Sequence, residues 1–431
     1  MTDRPGEVVS GVVGALFRRG AGRITATLAR ALGPARLDIA EEAVQDALVR
    51  ALHTWPHTGV PDNPAGWLYR VARNRTLDLL RHDDAFRARM PLLLPPTEAE
   101  SPVRRDDELA LMFLCCHPGL SSGVQVALTL RTVGGLGIGE IAGALLVKPA
   151  TVAARLGRAK RFLREEAAKV AVEVPGPDDL ESRVDSALAV LYLMFNAGYD
   201  AYEGADAVRV ELCAEAIRLG RLLCADARTD LPRARALLAL MLLHGSRLPA
   251  RVDDGGDPLL LSDQDRARWD QRMVAEGVRL FGASCTGPAR SPYHVEAAIA
   301  VCHATAAEMA ATDWAMVVSC YDELMAIRPT PVAALNRAVA VLMSGGDGVT
   351  ASTDTAAVVR ELAALRDDPA LRDYHLLPSA LGGLCLRAGQ PAAAAEYYTE
   401  ALTRPCSAPA RRFLRRQLDR CQRLAGDPMT G

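Results

Sequence analysis

The chain has 431 residues, of which half are hydrophobic and 5% aromatic, so its length predicts several domains whose cores consist of Leu, Ala and Val. The sequence has no apolar run near the roughly 20 residues needed to cross a bilayer and no N-terminal signal pattern, so we expect a cytoplasmic protein without a membrane partner. Residues 1–171 carry 23 Lys and Arg against 18 Asp and Glu, whereas the remainder is acidic overall, which favours a polyanionic partner for the first part.

The first informative segment, residues 40–82, has the pattern of helix, loop and helix. Ala40, Val44, Leu48 and other small apolar residues form one stripe of the first predicted helix. Its polar side chains fall outside that stripe and include Glu41, Glu42, Gln45 and Asp46. The next segment, HTWPHTGVPDNPAG, is rich in Pro and Gly and predicts a loop.

The second predicted helix of this segment runs from about Ala65 to Arg81 and has one basic face. Leu68, Val71, Ala72 and Leu79 share the apolar face, and the opposite face carries Arg70, Arg73, Asn74 and Arg81. A basic stripe near Trp55 and Trp67 is typical of proteins that bind single-stranded nucleic acid, where bases stack on aromatic rings. Packing in the core is the alternative for either tryptophan.

A linker and a second basic segment follow. Residues 83–107 contain PLLLPPTEAESP, which excludes a continuous helix and predicts a tether. Residues 138–166 then predict two short helices around a tight turn, with Val152, Leu156, Ala159 and Leu163 on one face of the second. Arg158 and Arg161 point away from that face, and Arg155 lies on its flank. This is the pattern of a helix-turn-helix, with an ordinary basic helix pair as the alternative.

The rest of the chain, after a break at Val174–Asp179, is predicted to be helical. Residues 249–262 form a loop rich in Gly and Asp, for which a solvated loop is favoured over a metal site because the spacing of the carboxylates is not that of a calcium loop. Related units around Tyr321 and Tyr398 each precede a Pro-containing turn, and residues 386–402 resemble a tetratricopeptide element. Cys115 and Cys116 lie in an apolar run and are predicted to be buried.

The order of these segments resembles that of an extracytoplasmic-function sigma factor of bacterial RNA polymerase, in the subgroup with a long helical C-terminal extension. VQDALVRAL and NPAGWLYRVARNRTLDLLR resemble sigma region 2, and residues 108–164 resemble sigma region 4. The resemblance implies an all-α, multi-domain fold. The expected parts are region 2 at 8–82, a linker at 83–107, region 4 at 108–170 and a helical extension at 180–425 that is tetratricopeptide-like at about 293–425.

The resemblance also implies partners and residue roles. Core RNA polymerase would be bound through the clamp helices of its largest subunit and through the beta flap, with the clamp-helix contacts made by Glu41, Glu42, Gln45 and Asp46. The minus-10 promoter element would be bound by Asp62, Asn63, Trp67, Arg70, Arg73, Asn74 and Arg81. The minus-35 element would be bound by Lys148, Thr151, Arg155, Arg158 and Arg161. Ala153 and Ala154 stand where relatives often carry polar residues, which departs from the family pattern.

No cofactor, metal or catalytic residue is expected, because the sequence has no Walker-type loop, G-x-S-x-G or H-E-x-x-H motif. The hypothesis for the acidic C-terminal half is regulation or contact with a protein partner, with a scaffold that only packs on the first half as the alternative. The competing function is a helix-turn-helix regulator that acts without polymerase and carries a helical-repeat sensor domain. Residues 40–82 argue against that function, because such a regulator needs no strand-binding module.

Overall fold

The structure is a computed structural model that describes residues 20–80, 105–145, 147–165, 172–199, 208–287, 290–344, 362, 365 and 371–426. Within these ranges the fold is all-α, as predicted, and the only β pairing is an isolated bridge between Val252 and Pro258. The chain divides into two compact units between Met194 and Phe195. None of the described helices is both long and apolar enough to span a membrane.

The first three helices of the first unit form one bundle. They are α1 (20–32), α2 (Leu37–Thr58) and α3 (Pro64–Leu80). Leu28, Leu48, Trp55 and Leu68 lie in their shared core, each at most 2% exposed. The predicted helices are confirmed, although α2 is longer than expected.

Helix α2 continues into the segment that was predicted to be a loop and contains Pro56. This prediction was wrong for residues 53–58, because Pro56 lies near the helix end, where its missing N–H removes a single backbone bond, and because the buried Trp55 anchors this turn in the core. The helix ends at Gly59, whose φ of 82° suits glycine and whose N–H donates to the Trp55 carbonyl at 2.9 Å.

The helix-turn-helix of the first unit is confirmed. Helices α4 (Arg105–Cys115) and α5 (Ser122–Thr132) precede it, and α6 (Ile138–Leu145) and α7 (Pro149–Glu165) form it. Because α4 begins at Arg105, the last three residues of the predicted linker are helical, and Asp107 is only 3% exposed. The linker before Arg105 lies outside the described residues.

Helix α8 (Pro177–Tyr199) begins at the predicted break, and the division between the two units falls within it. In the second unit, α9 (Val210–Cys224), α10 (Pro232–Gly245) and α11 (Gln271–Ser284) pack together. Residues 237–243 of α10 are buried without interruption, because other helices cover this helix on several sides.

Six more helices complete the second unit. Their bounds are α12 (Pro292–Thr305), α13 (Trp314–Ile327), α14 (Pro331–Ser344), α15 (Leu376–Arg387), α16 (Pro391–Thr403) and α17 (Ala408–Gly426). As predicted, the units around Tyr321 and Tyr398 lie in helices, α13 and α16, that each precede a Pro-containing turn and a further helix. Each of these helices is followed by an arginine that forms an ion pair, Arg328 with Glu296 and Arg404 with Glu400.

The Gly/Asp-rich loop is held by its own carboxylates. Asp253 Oδ1 accepts hydrogen bonds from the Gly255 and Asp257 amides, each at 2.9 Å. Asp257 is 4% exposed and accepts hydrogen bonds from Arg412 and Arg416 of α17. The prediction of a solvated loop was therefore wrong for Asp257. No carboxylate, His or Cys cluster suited to a metal ion occurs among the described residues.

Cys115 and Cys116 are both fully buried in α4 and its end, as predicted. Burial raises the pKa of the Cys116 thiol to about 12, with a smaller opposing effect of its contact with Thr129. At neutral pH this side chain is an uncharged thiol and packs as a small hydrophobe.

Candidate nucleic-acid interface

The outer face of α7 is basic and open to solvent. Its inner face is buried through Val152, Leu156, Ala159 and Leu163, which confirms the predicted apolar stripe. Four of the predicted DNA-contacting side chains lie exposed on and just before this helix: Lys148, Thr151, Arg158 and Arg161. Within the described part of the chain, none of the three cations in that set forms an ion pair. These charges are therefore available to a polyanion.

Arg155 differs from these residues because it is only half-exposed. A Cβ placed on Gly123 would lie 3.3 Å from Arg155 Cζ, so the guanidinium packs against the start of α5. Arg155 thus lies on the flank of α7, as predicted. Its neighbours Ala153 and Ala154 are exposed and offer no polar group to a base.

The predicted minus-10 residues surround the start of α3. Asp62 and Asn63 are exposed in the turn before it, and Asn63 Oδ1 accepts a hydrogen bond from the Gly66 amide at 2.9 Å. Asn63 therefore caps the helix, and this bond leaves its amide nitrogen available to donate to a base edge.

The basic face of α3 carries Arg70, Arg73 and Asn74 at helical spacing. Arg70 and Asn74 are exposed, whereas Arg73 is half-buried. Burial raises the pKa of the neighbouring Tyr69, and the charge of Arg73 opposes that rise. Arg81 lies outside the described residues.

The two tryptophans of this region meet edge to face, with ring centroids 5.4 Å apart. Trp55 is 1% exposed, so it packs in the core, which was the alternative interpretation. Trp67 is half-buried against the same core and keeps part of its surface in contact with solvent. Only Trp67 therefore offers a surface to a base.

The polar face of α2 is partly occupied by other residues of the first unit. Glu42 and Asp46 are exposed, and both pair with Arg75 of α3, at 3.5 Å and 2.6 Å. Gln45 is half-exposed, but Glu41 is only 7% exposed. Thr132 donates a hydrogen bond of 2.6 Å to Glu41 Oε1, and Lys160 Nζ lies 3.3 Å from Glu41 Oε2.

Further contacts join α1 and α2 to the segment from α4 to α7. Arg164 of α7 lies 2.9 Å from Asp38 of α2, and Arg30 of α1 lies 2.6 Å from the buried Asp107. A Cβ added at Gly22 of α1 would overlap the Val133 carbonyl, so the two backbones approach closely. The ion pairs of Asp38, Lys160 and Arg164 leave no local pattern in the sequence, because the paired residues lie up to 126 positions apart.

Comparison with known families agrees with this geometry. The family model for sigma-70 region 2 matches residues 16–86, and the model for sigma-70 region 4 matches residues 110–163. A family of unknown function, DUF6596, matches residues 183–285. An uncharacterized protein of Rhizobium meliloti (strain 1021) is 38% identical over 404 residues, which cover 91% of this chain and 92% of the relative. No solved structure matches the chain.

Two sigma regions in this order, the second with its basic helix exposed, define a sigma factor, which brings core RNA polymerase to promoter DNA and so initiates transcription. Within the sigma factors, this chain has a short region 2 and a short region 4, and the DUF6596 segment follows them. The chain belongs to the extracytoplasmic-function sigma factors that carry a C-terminal extension.

Proposed function

We propose that α7 reads the minus-35 element with its exposed basic face. The observation that carries this proposal is the set of exposed cations opposite a fully buried apolar stripe. Arg158 is the best placed for a base, since it is exposed at mid-helix, and an arginine pairs bidentately with guanine. Lys148 and Arg161 suit phosphates, Thr151 offers a hydroxyl near the helix start, and Arg155 supports the flank.

Region 2 would hold the minus-10 strand with the start and basic face of α3. Asp62 and the amide nitrogen of Asn63 suit a base edge, and Trp67 offers a partly exposed ring for stacking. Arg70, Arg73 and Asn74, with Arg81, suit the backbone of the strand. Unstacking a base costs a few kcal/mol, which these contacts must return.

The test of the minus-35 proposal is run-off transcription by core polymerase with the full-length protein on a target promoter. Arg158→Ala is expected to lower specific initiation by about tenfold or more, because a bidentate arginine–guanine pair contributes about 1–3 kcal/mol. Arg268→Ala, an exposed arginine of the second unit, is the matched control. Equal activity of Arg158→Ala and Arg268→Ala would count against the role of Arg158.

Core polymerase would bind the acidic face of α2 through Glu42, Gln45, Asp46 and Glu41, on the clamp helices, while region 4 meets the beta flap. An acidic face suits a basic helical partner. Because Glu41 is buried between Thr132 and Lys160, its use by polymerase requires that region 4 first leave region 2. We therefore propose that the described packing is a closed form that competes with polymerase binding.

The C-terminal half is proposed to regulate this sigma activity or to contact a protein partner. Its stacked helix pairs and its own match to a separate family support a function distinct from promoter binding. The test compares the full chain with one that ends at Tyr199. The shorter chain keeps α8, because Arg183 of this helix donates to the Phe113 carbonyl of α4 at 3.2 Å within the first unit. Unchanged promoter affinity and transcription after truncation would contradict regulation.

A further inference from the structure

Three arginines of the second unit gather around two aromatic rings. The Cζ atoms of Arg247 and Arg266 lie 5.5 Å and 4.6 Å from the centroid of the Trp269 ring. The Cζ atom of Arg251 lies 3.9 Å from the Tyr199 ring centroid. These stacking contacts fix the guanidinium groups in place.

Two of these arginines, Arg247 and Arg266, carry charges that no described carboxylate pairs with. In the part of the chain that the structure describes, neither Arg247 nor Arg266 forms an ion pair. Arg247 Nε donates to the neutral Gln264 at 3.2 Å, and Arg266 Nη1 donates to the carbonyls of His303 and Ala306. Burial lowers the pKa of Arg247, and the charges of Arg251 and Arg266 lower it further, against an opposing effect of Tyr199.

In the described part of the second unit, several buried polar atoms around Arg247 and Arg266 have no hydrogen-bond partner. They include a second guanidinium nitrogen of the cluster and three ring nitrogens: Arg266 Nη2, Trp269 Nε1, His244 Nδ1 and His303 Nδ1. Folded proteins pair almost all such atoms, and an exception requires an explanation such as a missing ion. Among the described residues, these exceptions lie beside Arg247 and Arg266, whose charges form no ion pair.

The two histidines add donors without adding charge. Burial lowers the pKa of His244 to about 3, with smaller contributions from Arg247, Arg251 and His303. Burial, followed by the charges of Arg247 and Arg266, lowers the pKa of His303 to about 4. At neutral pH both rings are uncharged and each carries one N–H.

We propose that a site formed by Arg247, Arg266, His244 and His303, called the arginine cluster from here on, binds a small oxyanion: a carboxylate or phosphate group, free or on a small metabolite. A guanidinium offers paired N–H donors that fit both groups. All four side chains are only partly exposed, which suits a small ligand rather than the phosphates of a nucleic-acid strand. The inference concerns binding alone and stands without the regulatory role proposed above.

A purely structural role is the competing explanation, since Arg266 also caps the end of α12. Arg247 separates the two explanations, because its side chain caps no helix. Among the described residues it contacts only uncharged groups, the Gln264 amide oxygen and the Trp269 ring. If it serves packing, its replacement lowers stability. If it serves binding, its replacement by an uncharged residue raises the stability of the ligand-free protein and weakens anion binding, because a buried unpaired charge is costly.

The experiment titrates full-length protein with inorganic phosphate, sulfate and citrate at constant ionic strength, followed by calorimetry and by tryptophan fluorescence. Saturable binding is expected for at least one of these probes. Arg247→Gln is expected to weaken this binding by about tenfold. Arg247→Lys keeps the charge but loses the paired N–H donors of the guanidinium, so it is expected to have an intermediate effect. Arg268→Gln, an exposed arginine on the same turn as Arg266, is the matched control and stays within about twofold of wild type.

Two results would overturn the proposal. One is that none of the three anions binds saturably to the wild-type protein. The other is that Arg247→Gln loses no more affinity than the control Arg268→Gln. A thermal unfolding midpoint of Arg247→Gln at or above that of wild type, together with weaker binding, supports a ligand site, and it also excludes misfolding as the cause.

Discussion

Two buried carboxylates of this sigma factor, Glu41 in the first unit and Asp257 in the second, are each held by basic side chains from a helix far along the chain. Asp257 receives two arginines of α17, Arg412 and Arg416. Glu41 receives one lysine of α7, Lys160, and a threonine hydroxyl. The charge-assisted hydrogen bonds that two guanidinium groups make to Asp257 are stronger than the single contact of Lys160 Nζ with Glu41 at 3.3 Å. We therefore expect the Asp257 contact to persist in the folded protein and the Glu41 contact to be weak enough to open.

The largest expected change in stability comes from removing the stronger contact, that of Asp257. Asp257→Ala is expected to lower the free energy of unfolding of the second unit by about 2–3 kcal/mol, because it removes charge-assisted bonds from a buried group. Both arginines are about half-exposed, so water recovers part of their loss. Asp254→Ala, in the same loop but exposed, is the control for urea denaturation. A loss as large in Asp254→Ala would assign the effect to the loop rather than to the ion pairs.

The acid dependence of Asp257 has a defined sign. Burial alone would raise its pKa, but the hydrogen bonds from Arg416 and Arg412 outweigh that effect, so the pKa of Asp257 is lowered. When a carboxyl group has a lower pKa in the folded state than in the unfolded state, its contribution to the free energy of unfolding is complete above the unfolded-state pKa. That contribution disappears as the pH falls through the folded-state pKa. This contact therefore contributes fully at neutral pH and fails only in strong acid.

The histidines of the arginine cluster respond to pH in a different range. Because the folded pKa of His244 is about 3, the unfolded chain binds the proton first, and stability decreases as the pH falls below about 6.5. His244→Gln is expected to remove about 2 kcal/mol of the decrease between pH 8 and pH 5, measured by urea denaturation at both values. His53→Gln, exposed in the first unit, is expected to leave the decrease unchanged; an equal response of both variants would refute the assignment.

Local pattern predicted the helices and the faces of α3 and α7, because each depends on residues three or four positions apart. It predicted that Leu68, Val152 and Leu163 are buried, as they are in the structure. It also predicted exposed side chains for Arg70, Arg158 and Arg161, which the structure confirms. It did not predict that Glu41 is buried, because its partners Thr132 and Lys160 belong to distant helices. It failed for Asp257 and the arginine cluster as well, since both depend on tertiary contacts across the second unit.

Removal of the weaker contact, between Lys160 and Glu41, is expected to have the smallest effect on stability, but this effect is the one most closely tied to function. Lys160→Ala leaves Glu41 with Thr132 alone, and half-exposed lysine contacts are weak, so the closed packing loses about 1 kcal/mol. If closed packing competes with polymerase, that loss raises the affinity for core polymerase by at most about fivefold, because a population shift cannot exceed the free energy that drives it. Fluorescence titration with core polymerase, without promoter DNA, measures this change.

The control for that titration is Arg161→Ala, one position along α7. Arg161 is exposed and makes no ion pair in the described part of the first unit, so its removal changes the charge of α7 without loosening Glu41. Tighter binding by Lys160→Ala alone identifies the contact as inhibitory. Weaker binding by Lys160→Ala would mean that polymerase uses the closed arrangement itself, and Glu41 would then serve to orient region 4 rather than to contact the clamp helices.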